Sequence, residues 1–143
     1  MKNIVFLIML GFMMSFASAQ STPEEYVKIF FREVGSGNYN KAVNSMPVSQ
    51  KLDTDTSFVA TLVEKLEKSQ ESLGKYCGYE LISSEEVTPS FITYIYLIKY
   101  EEAPERIQFI FYKPKDNWQV NRINLMGGAA GGQRPAARQR MRF

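Results

Sequence analysis

Four stretches that read as strands follow one another between residues 78 and 125, with only short turns between them, and in the middle two side chains alternate between two faces. In the second, Ile92, Tyr94, Tyr96, Ile98 and Tyr100 alternate with Phe91, Thr93, Ile95, Leu97 and Lys99. In the third, Ile107, Phe109 and Phe111 alternate with Gln108, Ile110 and Tyr112. Period two with β-branched and aromatic enrichment is the mark of strands, and the expected strands are 78–87, 90–101, 105–113 and 118–125. Their turns carry Pro89, Pro104 and Pro114. Such connections are too short for a crossover, so neighbouring strands must run antiparallel, as a meander. One sheet of this kind cannot bury its own apolar face, and the residues before it must supply the cover.

They read as three helices. Ser21-Thr-Pro-Glu-Glu supplies a hydroxyl cap, a proline for the first turn and two acids that complement the helix dipole. Tyr26, Val27, Phe30, Phe31 and Val34 then recur at three- and four-residue spacing before Gly35-Ser-Gly ends the run. Asn38 opens a short helix over 39–46 that Pro47 stops. The longest helix spans 57–73, with Phe58, Leu62, Leu66 and Leu73 on one stripe, charged residues largely opposite, and Gly74 as its stop. The predicted fold class is therefore α+β, three N-terminal helices packed on a curved four-stranded antiparallel meander.

The last strand carries a register conflict. Trp118 and Val120 share one face, whereas Ile123 and Leu125 fall on the other unless one extra residue is inserted near Asn121-Arg122. A β-bulge there would return all four to the core.

Both ends differ from this middle. Lys2, an apolar run over 4–16 and Ala17-Ser-Ala form a secretory leader, so residues 1–19 are expected to be removed near Ala19. That run is shorter than the roughly 20 residues of a membrane span. Residues 127–143, rich in Gly, Ala and Arg, read as a flexible tail, which leaves 20–126 as one domain. Of 17 basic residues, Lys2 falls in the leader and Arg134, Arg138, Arg140 and Arg142 in the tail, while all 15 acids lie between. The folded part is thus acidic and the tail basic. The tail is a candidate for contact with an anionic surface; nucleic acid is not expected as a partner, because the acidic domain lacks a basic footprint. Cys77, the one cysteine, has no partner in its chain; it is either buried and inert, the favoured reading, or half of an intermolecular bridge.

The segments Tyr26-Val-Lys-Ile-Phe-Phe, Gly37-Asn-Tyr-Asn-Lys-Ala and Phe111-Tyr-Lys-Pro-Lys-Asp-Asn-Trp-Gln-Val-Asn-Arg-Ile, in this order, resemble the NTF2-like superfamily, the cone-shaped α+β fold related to cystatins. The resemblance spans about 23–125 and is strongest to small exported members whose function is unknown. It implies dimers formed through the outer sheet face. It also raises an enzymatic alternative similar to ketosteroid isomerase, with a carboxylate base and tyrosine donors inside the cone.

The residue inventory narrows the chemistry. With no histidine, the commonest general base, the Ser-His and Cys-His pairs and the usual transition-metal ligand are missing. One cysteine and no histidine argue against zinc, and no Gly-rich loop opens a helix after a strand, so neither a metal nor a cofactor is expected. Tyrosines are plentiful, but Glu80, Glu101, Glu105, Asp116 and the other strand-region acids sit near strand ends or in turns, where a charge is solvated. A non-catalytic binding or assembly module is the favoured function, and a small isomerase or hydrolase working through a carboxylate and tyrosine is the alternative. A cone mouth lined by Tyr26, Phe30, Phe109, Phe111 and Trp118 would admit a small apolar or peptide ligand, although period-matched aromatics more often fill a core. The second strand is apolar on both faces and only one can lie on the helices, so the row Ile92, Tyr94, Tyr96, Ile98 and Tyr100, or its counterpart, needs other cover; the tyrosine row is the candidate interface for a homodimer or an envelope protein.

Overall fold

Thr22 and Glu25 start the first helix by capping each other: Glu25 N–H donates to Thr22 Oγ1 at 3.4 Å and Thr22 N–H donates to Glu25 Oε2 at 3.0 Å. This computed structural model describes residues 21–49 and 56–127, so the expected leader and nearly all of the tail lie outside the described residues. Helix α1 covers Pro23–Gly35, α2 Tyr39–Asn44 and α3 Thr56–Leu73. Between α1 and α2 the chain turns at Gly37, where φ is +73°, and the Asn38 N–H returns to the Glu33 carbonyl at 2.9 Å. Among the described residues no helix is long and apolar enough to cross a membrane.

Strands β1 Tyr76–Thr88, β2 Phe91–Tyr100, β3 Glu105–Tyr112 and β4 Gln119–Met126 form one antiparallel sheet in sequence order. The expected bulge in β4 is present: Ile110 pairs with Arg122 and Phe111 with Val120, so Asn121 is the extra residue. Val120 and Ile123 are consequently both buried, and Leu125 and Trp118 pack against the same core. Strand β1 has three such irregularities, with Cys77, Ile82 and Val87 as the unpaired residues, five positions apart. The first of them lets pairing begin at Tyr76, two residues before the expected start.

Helix α1 lays Val27, Phe30, Phe31 and Val34 on the inner sheet face, against Ile98, Ile107, Phe109 and Phe111, all essentially without solvent contact. Burying a Phe-sized side chain contributes about 1.5–3 kcal/mol. The two layers are tied at their ends by backbone bonds. Val120 N–H donates to the Pro47 carbonyl at 2.7 Å, which makes Val48 a short parallel bridge beside β4. At the opposite end, Glu102 N–H reaches the Leu73 carbonyl at 2.9 Å.

Gly74 makes that second junction. Its φ is +86°, and a Cβ there would come within 3.0 Å of the Glu101 side chain, whose Oε2 accepts from Lys75 N–H at 3.1 Å. Gly74→Ala is therefore expected to cost about 1–3 kcal/mol through positive-φ strain. Urea unfolding checks this, and a variant as stable as the parent would show that the junction relaxes without cost.

Candidate functional site

Beginning with the cone, Phe30 packs edge-on against Phe31 at 5.3 Å and Phe109 at 5.2 Å, and Phe109 stacks on Phe111 at 6.4 Å. These rings have no exposed surface, so Phe30, Phe109 and Phe111 do not line a pocket; they are the core, because α1 sits directly on the sheet. Tyr26 packs partly buried against the same cluster. The cavity between α3 and β4, bordered by Phe58, Leu62 and Ile123, measures about 120 Å³, below the few hundred that ligand sites occupy.

Trp118 stands apart from the other four. It lies in an open groove of about 440 Å³ with Pro47, Val48, Pro114 and Asp116, and the Lys113 ammonium sits 4.9 Å above its ring. The groove exists because the Pro47–Val48 segment meets the start of β4.

Three polar clusters that include a buried side chain bear on chemistry. Glu33 of α1 is buried and receives Arg32 and, at 3.1 Å, Lys41 of α2. The Lys41 hydrogen bond is the main reason its carboxyl titrates below the usual range. This pair clamps two helices. At the N-terminus of α1, Glu24 accepts a hydrogen bond from the Tyr94 hydroxyl. Burial, then the bonded carboxylate, raises the Tyr94 pKa; at Glu24 burial opposes the shift, but the bonds from Tyr94, its own backbone and Thr22 together hold the acid low.

The third cluster was not legible in the sequence. Glu105, the first residue of β3, is 7% exposed and its Oε2 has no partner. Burial raises its pKa, and Ser69 of α3 is its hydrogen-bonding neighbour. The Ser69 bond opposes that rise, and Ser69 Oγ also donates to the Lys65 carbonyl at 2.9 Å. Tyr100 is close enough for the Glu105 charge to act on it, is 6% exposed, and has an unpartnered hydroxyl. A glutamate following Pro104 reads as a turn charge; only the docking of α3 over it reveals the burial.

The predicted interface row is inverted. Tyr94, Tyr96, Ile98 and Tyr100 are buried beneath the helices, and Ile92 is partly buried against the core. Tyr96 meets Phe31 at 5.5 Å and Phe109 at 6.1 Å, which fixes the inward face. The outer face of β2 is the counterpart row, Phe91, Thr93, Ile95, Leu97 and Lys99, all partly exposed. Pairing extends it into four cross-strand rows: Thr88, Phe91, Tyr112 and Gln119; Glu85, Thr93, Ile110 and Arg122; Ser83, Ile95, Gln108 and Asn124; Glu80, Leu97, Arg106 and Met126. The Phe91 and Tyr112 rings lie 6.5 Å apart. In the third row, Asn124 Nδ2 donates to Gln108 Oε1 at 3.0 Å. Near one end, Lys99 pairs with Glu80 at 2.7 Å.

Cys77 is exposed rather than buried. As the extra residue of a bulge it is displaced from the ladder, and its Sγ donates to the Lys75 carbonyl at 3.4 Å. The lack of clean alternation among Tyr79, Leu81, Ile82 and Val87 was the signal for an irregular β1.

No protein family matches this sequence, and no curated protein does. Among solved structures, the fold is similar to a Campylobacter jejuni protein that carries the provisional name NTF2-like transpeptidase, at 14% identity with a TM-score of 0.54, over 70% of this chain and 97% of that one. At that identity the likeness speaks for architecture alone. Three helices on a four-stranded antiparallel meander, superposable on nearly the whole of that chain, are the NTF2-like fold.

Proposed function

We propose that this protein is an exported, non-catalytic assembly module that acts through the outer face of its sheet, with dimerisation as its first mode of association. The observation that carries this is the apolar band Phe91, Ile95, Leu97, Ile110 and Tyr112, left uncovered while the cone beneath is filled. Partly exposed aromatic and aliphatic groups flanked by arginines have the make-up of interface centres. Export rests on the leader over 1–19, with cleavage near Ala19 releasing the chain to the periplasm or beyond. The Trp118 groove supports a secondary role in holding a small apolar or peptide ligand, and the arginines of the tail suit an anionic surface or an envelope protein.

Catalysis has less support. Glu105 with Tyr100 is the carboxylate and tyrosine pair that an isomerase or hydrolase would need, but neither borders the grooves described above. A transpeptidase requires a nucleophile with a base at hand, and Cys77 hydrogen-bonds only to a backbone carbonyl. The test of the assembly reading is sedimentation velocity of the mature chain against Ile95→Lys. The parent is expected to sediment as a dimer and the variant as a monomer with an unchanged circular dichroism spectrum. A parent that stays monomeric at high concentration would overturn the reading.

A further inference from the structure

Resting on the outer-face assembly just proposed, we infer that the partner is a second copy related by a two-fold axis parallel to the strands, registered by ion pairs between Glu85 of each copy and Arg122 of the other. Glu85 and Arg122 are both exposed, and neither has an ion pair among the described residues. They stand at opposite ends of one cross-strand row, Glu85, Thr93, Ile110 and Arg122. Three strand spacings separate them, roughly 14 Å, too far to meet within one chain. Glu80, two rows along the same strand, is in contrast already neutralised by Lys99.

The unpaired charges are thus sorted by position: the acid over β1, the bases Arg122 and Arg106 over β4 and β3. Two sheets facing each other can be related by an axis along the strands or across them. The axis across the strands lays β1 over β1 and β4 over β4, so the β1 acids Glu85 and Glu80 approach the β1 acids of the copy and the Arg122 side of each sheet meets the same side of the other. The axis along the strands lays β1 over β4 and keeps each row at its own level. Glu85 then faces Arg122 of the second copy, Thr93 faces Ile110, and Leu97 faces Arg106, whose buried Nε lacks a partner in the single chain. By symmetry each pairing occurs twice, so one substitution is felt at two sites.

The experiment is sedimentation equilibrium of the mature parent, Glu85→Arg, Arg122→Glu and the double variant, at low and moderate salt, with circular dichroism as the folding control. Each single reversal is expected to weaken the dimer about tenfold or more, and the double variant to recover to within about threefold of the parent, because the exchanged pair re-forms. A dimer that ignores the single reversals, or a double variant no tighter than either single, would overturn the axis while leaving outer-face assembly in place. A parent that never dimerises would overturn both.

Discussion

Phe109→Ala is expected to cost about 3–5 kcal/mol, the scale for truncating a fully buried aromatic side chain. Phe109 has no exposed surface and holds edge-on contacts to Phe30, Phe31 and Tyr96 while stacking on Phe111. Four rings lose a neighbour at once, and the strand that carries Phe109 is paired on both sides, by Tyr94 and by Ile123, so the site cannot collapse to fill the void. For a domain near 100 residues each kcal/mol lowers the melting temperature by roughly 4–8 °C, which places the variant close to unfolding at physiological temperature. Urea unfolding with unchanged slope checks it. A loss below about 1.5 kcal/mol would mean that the cone has room to repack and is not the filled core described above.

Glu105→Gln is expected to stabilise the protein at neutral pH by about 1–3 kcal/mol, because a neutral group of the same shape replaces a buried carboxylate whose charge is poorly satisfied. The carboxyl titrates above its ordinary value because burial penalises its charged form. A raised carboxyl favours folding while it is protonated, so the parent loses this contribution as pH rises from the unfolded-state value through the folded one. The amide has no such titration. The advantage of the variant should therefore be small in acid, grow across that window and level off above it. The carboxylates with lowered pKa, Glu33 foremost, work in the opposite sense and lose stability as pH falls, but they are common to both proteins and cancel in the difference. Parallel urea titrations at several pH values would show it, and a difference independent of pH would mean that Glu105 is ionised and solvated.

Much of the architecture was readable from local pattern. Thr22 with Glu25, Pro47 and Gly74 punctuate the helices through backbone chemistry that needs no tertiary contact. The Asn121 bulge was readable because Trp118, Val120, Ile123 and Leu125 cannot share a face without it. The inward face of β2 was not readable, since Ile92, Tyr94, Tyr96 and Ile98 are matched by Phe91, Ile95 and Leu97. Hydrophobicity alone leaves that tie unbroken. It is broken by long-range partners: Phe31 and Phe109 around Tyr96, and Glu24 at the Tyr94 hydroxyl. The prior for tyrosine on an outer face failed because these hydroxyl-bearing rings are covered by the helices. The pocket reading failed for a related reason, as three of its five residues serve the core and Trp118 needed the Pro47–Val48 segment to form a groove at all.

The three bulges of β1 bear on how far association can proceed. A strand with a free rim offers its backbone amides and carbonyls to any chain that can lie alongside, and such addition has no natural end point, so it leads to fibres. With Cys77, Ile82 and Val87 each thrown out of register at five-residue intervals, β1 presents no aligned run longer than four residues, although Leu81, Ile82 and Val87 leave it apolar. At one end of β4 the corresponding groups of Val120 are taken by Pro47 and Ser49. Growth by adding strands is blocked where it would be most dangerous, and the flat of the sheet is left for contact. A chain built this way can be sticky on one surface and still form a closed complex.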